Sequence, residues 1–525
     1  MTSSSTPPSQ PSLQTRTTPG PAPNGQGRGL FASSDLRLGD NILHIQDPFV
    51  AVLDSNRLED TCSGCFGQRQ LAAPSGREIV LKACTGCKIV KYCDKTCQAK
   101  DWRLAHSREC GMFKILSPKV LPINARALLR MVLRTHVKKN AYSEQELEAF
   151  GSLDTHIRDI RAGNTEQWER IALTSKAVKE YSKTELAEEE ICAYGAKLEL
   201  NAFNLTNALY DRVGLYLHPY AALMNHDCNY NAIVAFDGLE LYVKPTRPIA
   251  KDEQILISYI DTTFSTRIRQ KQLQERYFFT CTCTKCTTPE PPTPTGSEIE
   301  DVVNEATKNI LDFGPSPSTP QRGFKPVPIP EQDRENTLGL ASWMQSLIEH
   351  SWPKHAQPFP GMMDELIALD LNSGLFLDAF LHCALRFSRI DPLVFPNEAH
   401  PLRLIHAFTF AKLCLYHSDK GTDLTLPETF HGPFGVYVAV NEVQVDCGLL
   451  GWTLLAELVS KEGSEAGGCM APGFWAIAKR MFREVHSEFV ANGADPRELG
   501  KEIREQWQLL GKVMGEMWRN VYREK

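Results

Sequence analysis

The sequence has no run of about 18 uninterrupted apolar residues, the length that a helix needs to cross a bilayer, and its N-terminus has no charged-then-apolar leader. It also lacks a dominant charge. Lys and Arg number 57 against 63 Asp and Glu, a net charge of -6, so the whole-molecule field gives no basis for non-specific nucleic-acid binding. No helix-like segment clusters Arg and Lys as a recognition helix does. These absences predict neither a membrane partner nor a sequence-specific nucleic-acid partner. They make a reducing intracellular compartment the default, where tightly spaced cysteines read as metal thiolates rather than disulfides.

What is present is length, 42% hydrophobic residues and sixteen cysteines, enough for several cores in one multidomain chain. Residues 1–24 are Ser, Thr and Pro with little apolar content and are expected to form a disordered tail. Residues 25–61 turn to short β-like runs: Gly29–Ala32, Asn41–Ile45 and Phe49–Leu53. Cysteines crowd 62–110. Residues 111–200 read as a helical insertion, with capping-box spacing at Ser143/Glu146 and again at Ser182/Glu185. Strand patterns resume over 201–270, at Ala232–Phe236, Leu239–Val243 and Gln254–Tyr259, and a cysteine segment at 271–286 closes that part. Residues 287–331 form a Pro-rich linker with a helix near Glu298–Phe313. Residues 332–525 are helical, with apolar stripes such as Leu340, Trp343, Met344, Leu347 and Ile348. Stacked hairpins of tetratricopeptide type fit this pattern, though no 34-residue signature repeats.

Two constellations carry chemistry. The first is Cys62-x2-Cys65, Cys84-x2-Cys87, Cys93-x3-Cys97 and His106-x3-Cys110. Eight donors make two closed four-ligand shells, as structural zinc requires. Alternating pairs suggest a cross-brace, with the first and third pairs on one ion and the second and fourth on the other; spacing alone also allows sequential pairing. The second is Cys281-x-Cys283-x2-Cys286, three thiols and one short of a shell. Cys228, within Asn225-His226-Asp227-Cys228-Asn229-Tyr230-Asn231, is the natural fourth donor. Cys192, Cys383, Cys414, Cys447 and Cys469 stand singly among apolar neighbours and read as buried, inert thiols.

Lys91-Tyr92-Cys93-Asp94-x2-Cys97, Trp102 and the closing His-x3-Cys resemble the MYND zinc finger. The gap from Cys65 to Cys84, which carries Pro74-Ser75-Gly76, is longer than is usual there and reads as an inserted loop. Asn225-His226-x-Cys228-x2-Asn231, then Gln254-Ile-Leu-Ile-Ser-Tyr259, then the 281–286 cysteines resemble a SET domain with its post-SET zinc. Gly25-Gln26-Gly27-Arg28-Gly29-Leu30 resembles the first cofactor-binding turn of that family. The order of parts is similar to the SMYD family, by motif over 25–286 and by architecture over 330–525. The fold class implied is α+β and multidomain: a β-rich SET domain interrupted by a MYND finger and a helical insertion, followed by an all-α, tetratricopeptide-like C-terminal domain.

The resemblance implies an S-adenosylmethionine-dependent protein-lysine N-methyltransferase holding three zinc ions. Its substrates would be lysine-bearing histone or non-histone proteins, in nucleus and cytoplasm. Arg28, Gly29, Asn201, Asn225, His226, Tyr277 and Phe279 would contact the cofactor, Asn225 and His226 through side chain and backbone. Tyr259 would be the catalytic hydroxyl. The MYND module would receive proline-containing peptides. The sequence departs from the family pattern at Asp227 and Tyr230, where a small residue and Pro are usual. It departs again at Asp252, which stands in place of Gly and is expected in the left-handed region. Two alternatives follow from other classes: a SET/MYND scaffold with little or no catalysis, and a zinc-dependent DNA-binding regulator.

Overall fold

The computed structural model describes residues 13–74, 77–137, 142–313, 331–418, 424–426, 429–432, 435–438 and 443–520. Residues 1–12 of the expected tail, Ser75 and Gly76 of the inserted loop, and 314–330 of the linker lie outside them. No helix among the described residues is long and apolar enough to cross a membrane. The chain divides into two compact units, one of Met1–Ile260, Gln270–Cys283 and Cys469–Gly473, the other of Asp261–Arg269, Thr284–Gly468 and Phe474–Lys525.

The first unit is built from small sheets. An antiparallel sheet runs in the order Leu13–Thr15, Leu43–Ile45, Glu240–Pro245, Ala232–Asp237. A second sheet pairs Val50–Leu53 with Arg212–Leu217, which in turn pairs with Phe203–Thr206. Asn225–His226 pairs in parallel with Leu256–Ile257. The expected disordered tail is therefore too long. Leu13–Thr15 and Thr17–Pro21 are strands, the latter against Arg28–Ala32. Partner strands order them, not their own apolar content, and Pro19 and Pro21 are tolerated on a ribbon edge, where a missing N–H costs no ladder bond.

The insertion is helical, with Ile123–Val132, Glu144–Gly151, Ile157–Gly163, Thr165–Ser182 and Glu188–Asn201 as its main helices. The Ser143/Glu146 capping box forms as expected. Ser182 does not begin a helix. It ends Thr165–Ser182, Lys183 turns into the left-handed region, and the next helix starts three residues after the expected Glu185, with the Ala187 N–H donating to Glu190.

Helix Ile123–Val132 and its continuation through Val137 seal the outer edge of strand Val50–Leu53. Arg126, Arg130 and Arg134 donate to the carbonyls of Leu53, Ala51 and Phe49 at 2.8, 3.0 and 2.8 Å. Residues four apart on a helix rise about 6.0 Å and residues two apart on a strand about 6.7 Å, so the two ladders stay in register. Carbonyls of the other parity face the partner strand. A Cβ on Gly214 would lie 2.0 Å from the Val52 oxygen, which only glycine permits. Arg130 also takes Glu109 in a two-point pair at 2.6 and 2.8 Å and lies 3.6 Å from Asp101, whose carboxylate accepts the Tyr92 hydroxyl at 2.8 Å. Burial pushes Asp101 up to about 6, opposed by the Arg130 charge.

The second unit is mainly helical, with Phe359–Ser373, Phe376–Leu385, Pro401–Ser418 and Cys447–Lys461 packed as hairpins around Phe359, Phe380, Phe408 and Phe410. Of the predicted stripe, Leu340, Met344, Leu347 and Ile348 are buried. Two short antiparallel ladders, Leu424–Leu426 with Val443–Val445 and Thr429–Gly432 with Gly435–Val438, interrupt the helices without any warning from the sequence pattern. The five single cysteines are all buried.

Replacing Arg130 with Met leaves Asp101 and Glu109 without their cation and is expected to cost about 3–5 kcal/mol of stability. Arg134→Met, which loses an edge contact, is expected to cost about 1 kcal/mol. Chemical denaturation of both variants checks the contrast. The Arg130→Met deficit should narrow as pH falls toward 6 and level off below it, because losing the Arg130 charge raises Asp101 further and the variant takes up the proton first.

Candidate functional site

Three groups of ligand atoms gather within the span of single ions. Cys62, Cys65, Cys93 and Cys97 form one, Cys84, Cys87, His106 and Cys110 the second, and Cys228, Cys281, Cys283 and Cys286 the third; within each, the ligand atoms lie within 4.8 Å of one another. Of the two pairings the spacing left open, the cross-brace is adopted. The Sγ atoms of Cys65 and Cys93 are 3.8 Å apart, as are those of Cys84 and Cys110. A tetrahedral zinc with bonds of about 2.3 Å separates its sulfurs by about 3.8 Å, whereas a disulfide would bring them to about 2.05 Å. The His106 Nε2 lies 3.4 and 3.7 Å from the sulfurs of Cys84 and Cys87, near the ~3.5 Å edge of a mixed nitrogen–sulfur tetrahedron. Burial pulls His106 down to about 4, so the imidazole is neutral and keeps a lone pair for a metal.

Local structure presents these donors. Asp94 caps helix Lys95–Asp101 by accepting the N–H groups of Thr96 and Cys97, which sets Cys97 on the first helical turn. Arg69 pairs with Asp94 and donates to the Cys97 sulfur at 3.6 Å. At the third set, Gln270 grips Cys281 by both backbone groups, at 2.6 and 2.9 Å. The buried guanidinium of Arg269 lies 3.5 Å from the Cys286 sulfur. Neither residue carries a motif, so the sequence did not mark them; they are visible only once helix Thr266–Tyr277 is laid beside the cysteines.

The candidate cofactor turn is tied to the segment that carries Cys228 through Asn225. Gly25 and Gly27 have φ of +74° and +73° with open space where a Cβ would be, so the turn offers backbone to a ligand. Gly29 is required for the opposite reason, since a Cβ there would come within 2.6 Å of the Gln254 amide nitrogen and 3.2 Å of that of Asn225. Asn225 donates to the Arg28 carbonyl at 3.1 Å and pins the turn. The buried Nε2 of Gln254 has no partner, a spare donor at the base of the turn that suits a polar ligand.

Tyr259 lies past the parallel partner of Asn225–His226. Its hydroxyl donates to the Met224 carbonyl at 2.6 Å, and its N–H donates to His226 Nδ1 at 3.1 Å. The Tyr277 ring is 4.9 Å away and its hydroxyl donates to the Tyr259 carbonyl at 3.4 Å. Phe279 packs 5.9 Å from His226. Burial pushes both phenols up, so both stay protonated at neutral pH. Between the two aromatics, Phe278 adopts φ +63° and stacks on His156, the reversal that lets Tyr277 and Phe279 face the same side.

Two residues expected at the cofactor also have partners within the chain. The His226 imidazole is buried and engaged by Tyr259 and by the Cys228 sulfur, 3.3 Å from its Nε2, which leaves the backbone of the Asn225–His226 pair for the expected contact. The Asn201 amide donates to the carbonyls of Lys197 and Asp154 at the end of its helix. The departures are accommodated. Asp227 accepts the Asn229 N–H at 2.6 Å in a tight turn, and Asp252 has φ +66° as expected. The predicted strand Gln254–Tyr259 shrinks to Leu256–Ile257, because the fully buried Asn231 side chain takes over its neighbours. It donates to Gln254 O at 2.8 Å and accepts Leu256 N–H at 2.8 Å. Asn231→Ala would orphan both groups and is expected to cost about 2–4 kcal/mol, read from the midpoint of denaturant unfolding.

The SET domain family matches residues 27–260. Histone-lysine N-methyltransferase ASHR1 of Arabidopsis thaliana is 29% identical over 269 residues, 50% of this chain and 53% of that protein. The SET domain and MYND-type zinc finger protein 6 of Schizosaccharomyces pombe is 31% identical over 264 residues, 50% of each. Human histone-lysine N-methyltransferase SMYD3 is 30% identical over 297 residues, 55% of this chain and 66% of that protein. The match thus spans about half to two thirds of the length of these relatives. With the SET match enclosing eight paired candidate metal donors grouped as a cross-brace, with one relative named for both domains and another named SMYD3, the chain belongs to the SMYD family of SET- and MYND-domain proteins.

Proposed function

We propose that this protein is an S-adenosylmethionine-dependent protein-lysine N-methyltransferase with three structural zinc ions, acting on histone or non-histone proteins in nucleus and cytoplasm. The observation that carries the reading is one chain of hydrogen bonds. Asn225 holds the glycine turn, and Met224 and His226, on either side of it, hold the hydroxyl and the N–H of Tyr259. The names of the relatives support the same activity.

S-adenosylmethionine, when bound, supplies a methyl group on a sulfonium. What the chain must do is deliver a neutral amine in line. A lysine ammonium, with an ordinary pKa of about 10.4, has no lone pair, and a lining of Tyr277 and Phe279 favours its neutral form by withholding water. Tyr259 is poised as an acceptor. Its own proton is given to the Met224 carbonyl, which leaves its oxygen lone pairs for an amine N–H and aims the nitrogen pair away from the phenol. No general base is required of the chain. The twelve metal donors would hold zinc in closed shells, so the ions would brace structure and take no part in the chemistry. The MYND finger would dock proline-containing peptides of partner proteins. The scaffold alternative drew on Asp227 and Tyr230, and the intact Asn231 and Asp227 hydrogen bonds do not favour it.

Zinc analysis of the purified protein should return three ions per chain, and two after Cys228→Ser. Calorimetric titration of the zinc-loaded protein with S-adenosylmethionine, followed by methyl transfer to histones and other lysine-bearing proteins, tests the activity. Tyr259→Phe should lower kcat roughly 100- to 1,000-fold with cofactor affinity little changed. Zinc-loaded protein that binds no cofactor would refute the enzymatic reading.

A further inference from the structure

The His226 side chain holds the Tyr259 N–H but takes no chemical step in the proposed reaction. Its two nitrogens are both occupied. Nδ1 faces the Tyr259 N–H at 3.1 Å, a donor, so Nδ1 must be the acceptor. A neutral imidazole carries one N–H, which is therefore on Nε2 and points at the Cys228 sulfur 3.3 Å away. The Cys281 sulfur lies within 4.8 Å of that of Cys228, in the same set. A thiolate accepts such a bond better than a thiol, and metal ligation would hold Cys228 and Cys281 as thiolates.

The neighbouring backbone adds to this. Within residues 224–228, the Met224 carbonyl takes the Tyr259 hydroxyl, His226 takes its N–H, the Asp227 N–H donates to the Ile257 carbonyl at 3.0 Å, and Cys228 enters the metal set. A five-residue segment therefore grips the tyrosine at both ends while its own far end is tied to sulfur. The imidazole is the rigid piece between them.

We propose that His226 is a positioning residue that couples the third metal set to the orientation of Tyr259, so that metal held by Cys228 and Cys281 governs the methyl-transfer step rather than cofactor binding. The catalytic half of this inference rests on the methyltransferase reading. The mechanical half does not. Loss of the imidazole frees the Tyr259 peptide and lets the phenol turn, and loss of the metal does the same through the imidazole.

The test uses the full zinc-loaded chain and three variants. In His226→Asn the side-chain carbonyl can reach the place of Nδ1, and in His226→Gln the amide nitrogen can reach the place of Nε2; His226→Ala does neither. Amide hydrogen exchange over residues 254–260 and the rate of zinc release to a colorimetric chelator are read without catalysis. Exchange at Tyr259 should speed about tenfold in His226→Ala, the equivalent of one hydrogen bond, and return toward wild type in His226→Asn. Zinc release from the third set should be slow in wild type and His226→Gln and faster in the other two. In the methyl-transfer assay, kcat should fall about 10- to 100-fold in His226→Ala and His226→Gln and recover in part in His226→Asn, with KM for a lysine peptide and Kd for S-adenosylmethionine within threefold of wild type. Unchanged exchange in His226→Ala, no advantage of His226→Asn over His226→Ala, or a loss of cofactor affinity equal to the loss of kcat would each overturn the proposal. If wild type neither binds cofactor nor transfers methyl, the enzymatic reading fails, and exchange and zinc release still decide whether the strut exists.

Discussion

Four sulfurs must meet before anything else at this site can. Cys228 and the cysteines at 281, 283 and 286 are more than fifty residues apart in the chain, yet their ligand atoms converge within 4.8 Å. Closing that loop costs entropy that grows only slowly with length, and a metal shell can offset it at one point. The closure draws Asn225 and His226 against Leu256–Ile257 and brings Tyr277 and Phe279 over them. The turn at Gly25–Gly29, the tyrosine and the aromatics are all hung from segments that this one convergence fixes.

A second constraint acts on the sheet behind. Among the described residues strand Val50–Leu53 has one neighbouring strand, and its outward carbonyls face three arginines at helical spacing. The middle arginine is shared with Glu109, next to the ligand Cys110, and with Asp101, whose other partner Tyr92 adjoins the ligand Cys93. The candidate metal donors of residues 62–110 and the edge of a SET sheet therefore meet at a single guanidinium. The buried carboxylates around it are tolerated because each keeps a charged or hydrogen-bonding partner, which is what buried charge requires.

Short-range signals in the sequence held where a few residues decide the outcome. Cysteine pairs two or three residues apart, the Ser143/Glu146 cap and the left-handed Asp252 all depend on neighbours in the chain. The signals that misled depend on neighbours in space. Leu13–Thr15 looked too polar to order itself, and a strand 28 residues on orders it. Ser182 has the spacing of a cap, but the preceding helix runs through it. Gln254–Tyr259 alternates like a strand, and a buried asparagine from another segment replaces most of its ladder.

The sequence by itself determined the inventory: twelve metal donors in register, a glycine turn, an Asn-His pair and a tyrosine ending a β run, in an order that names the family. Those features are legible because ligand chemistry and backbone conformation depend on residue type and spacing. The tertiary structure decided the grouping of the donors into a cross-brace, the turning of Phe278 that aligns its neighbours, and the engagement of the His226 ring by sulfur and peptide. A side chain's partner is set by which segments pack together, and packing is a property of the whole fold that no local spacing contains.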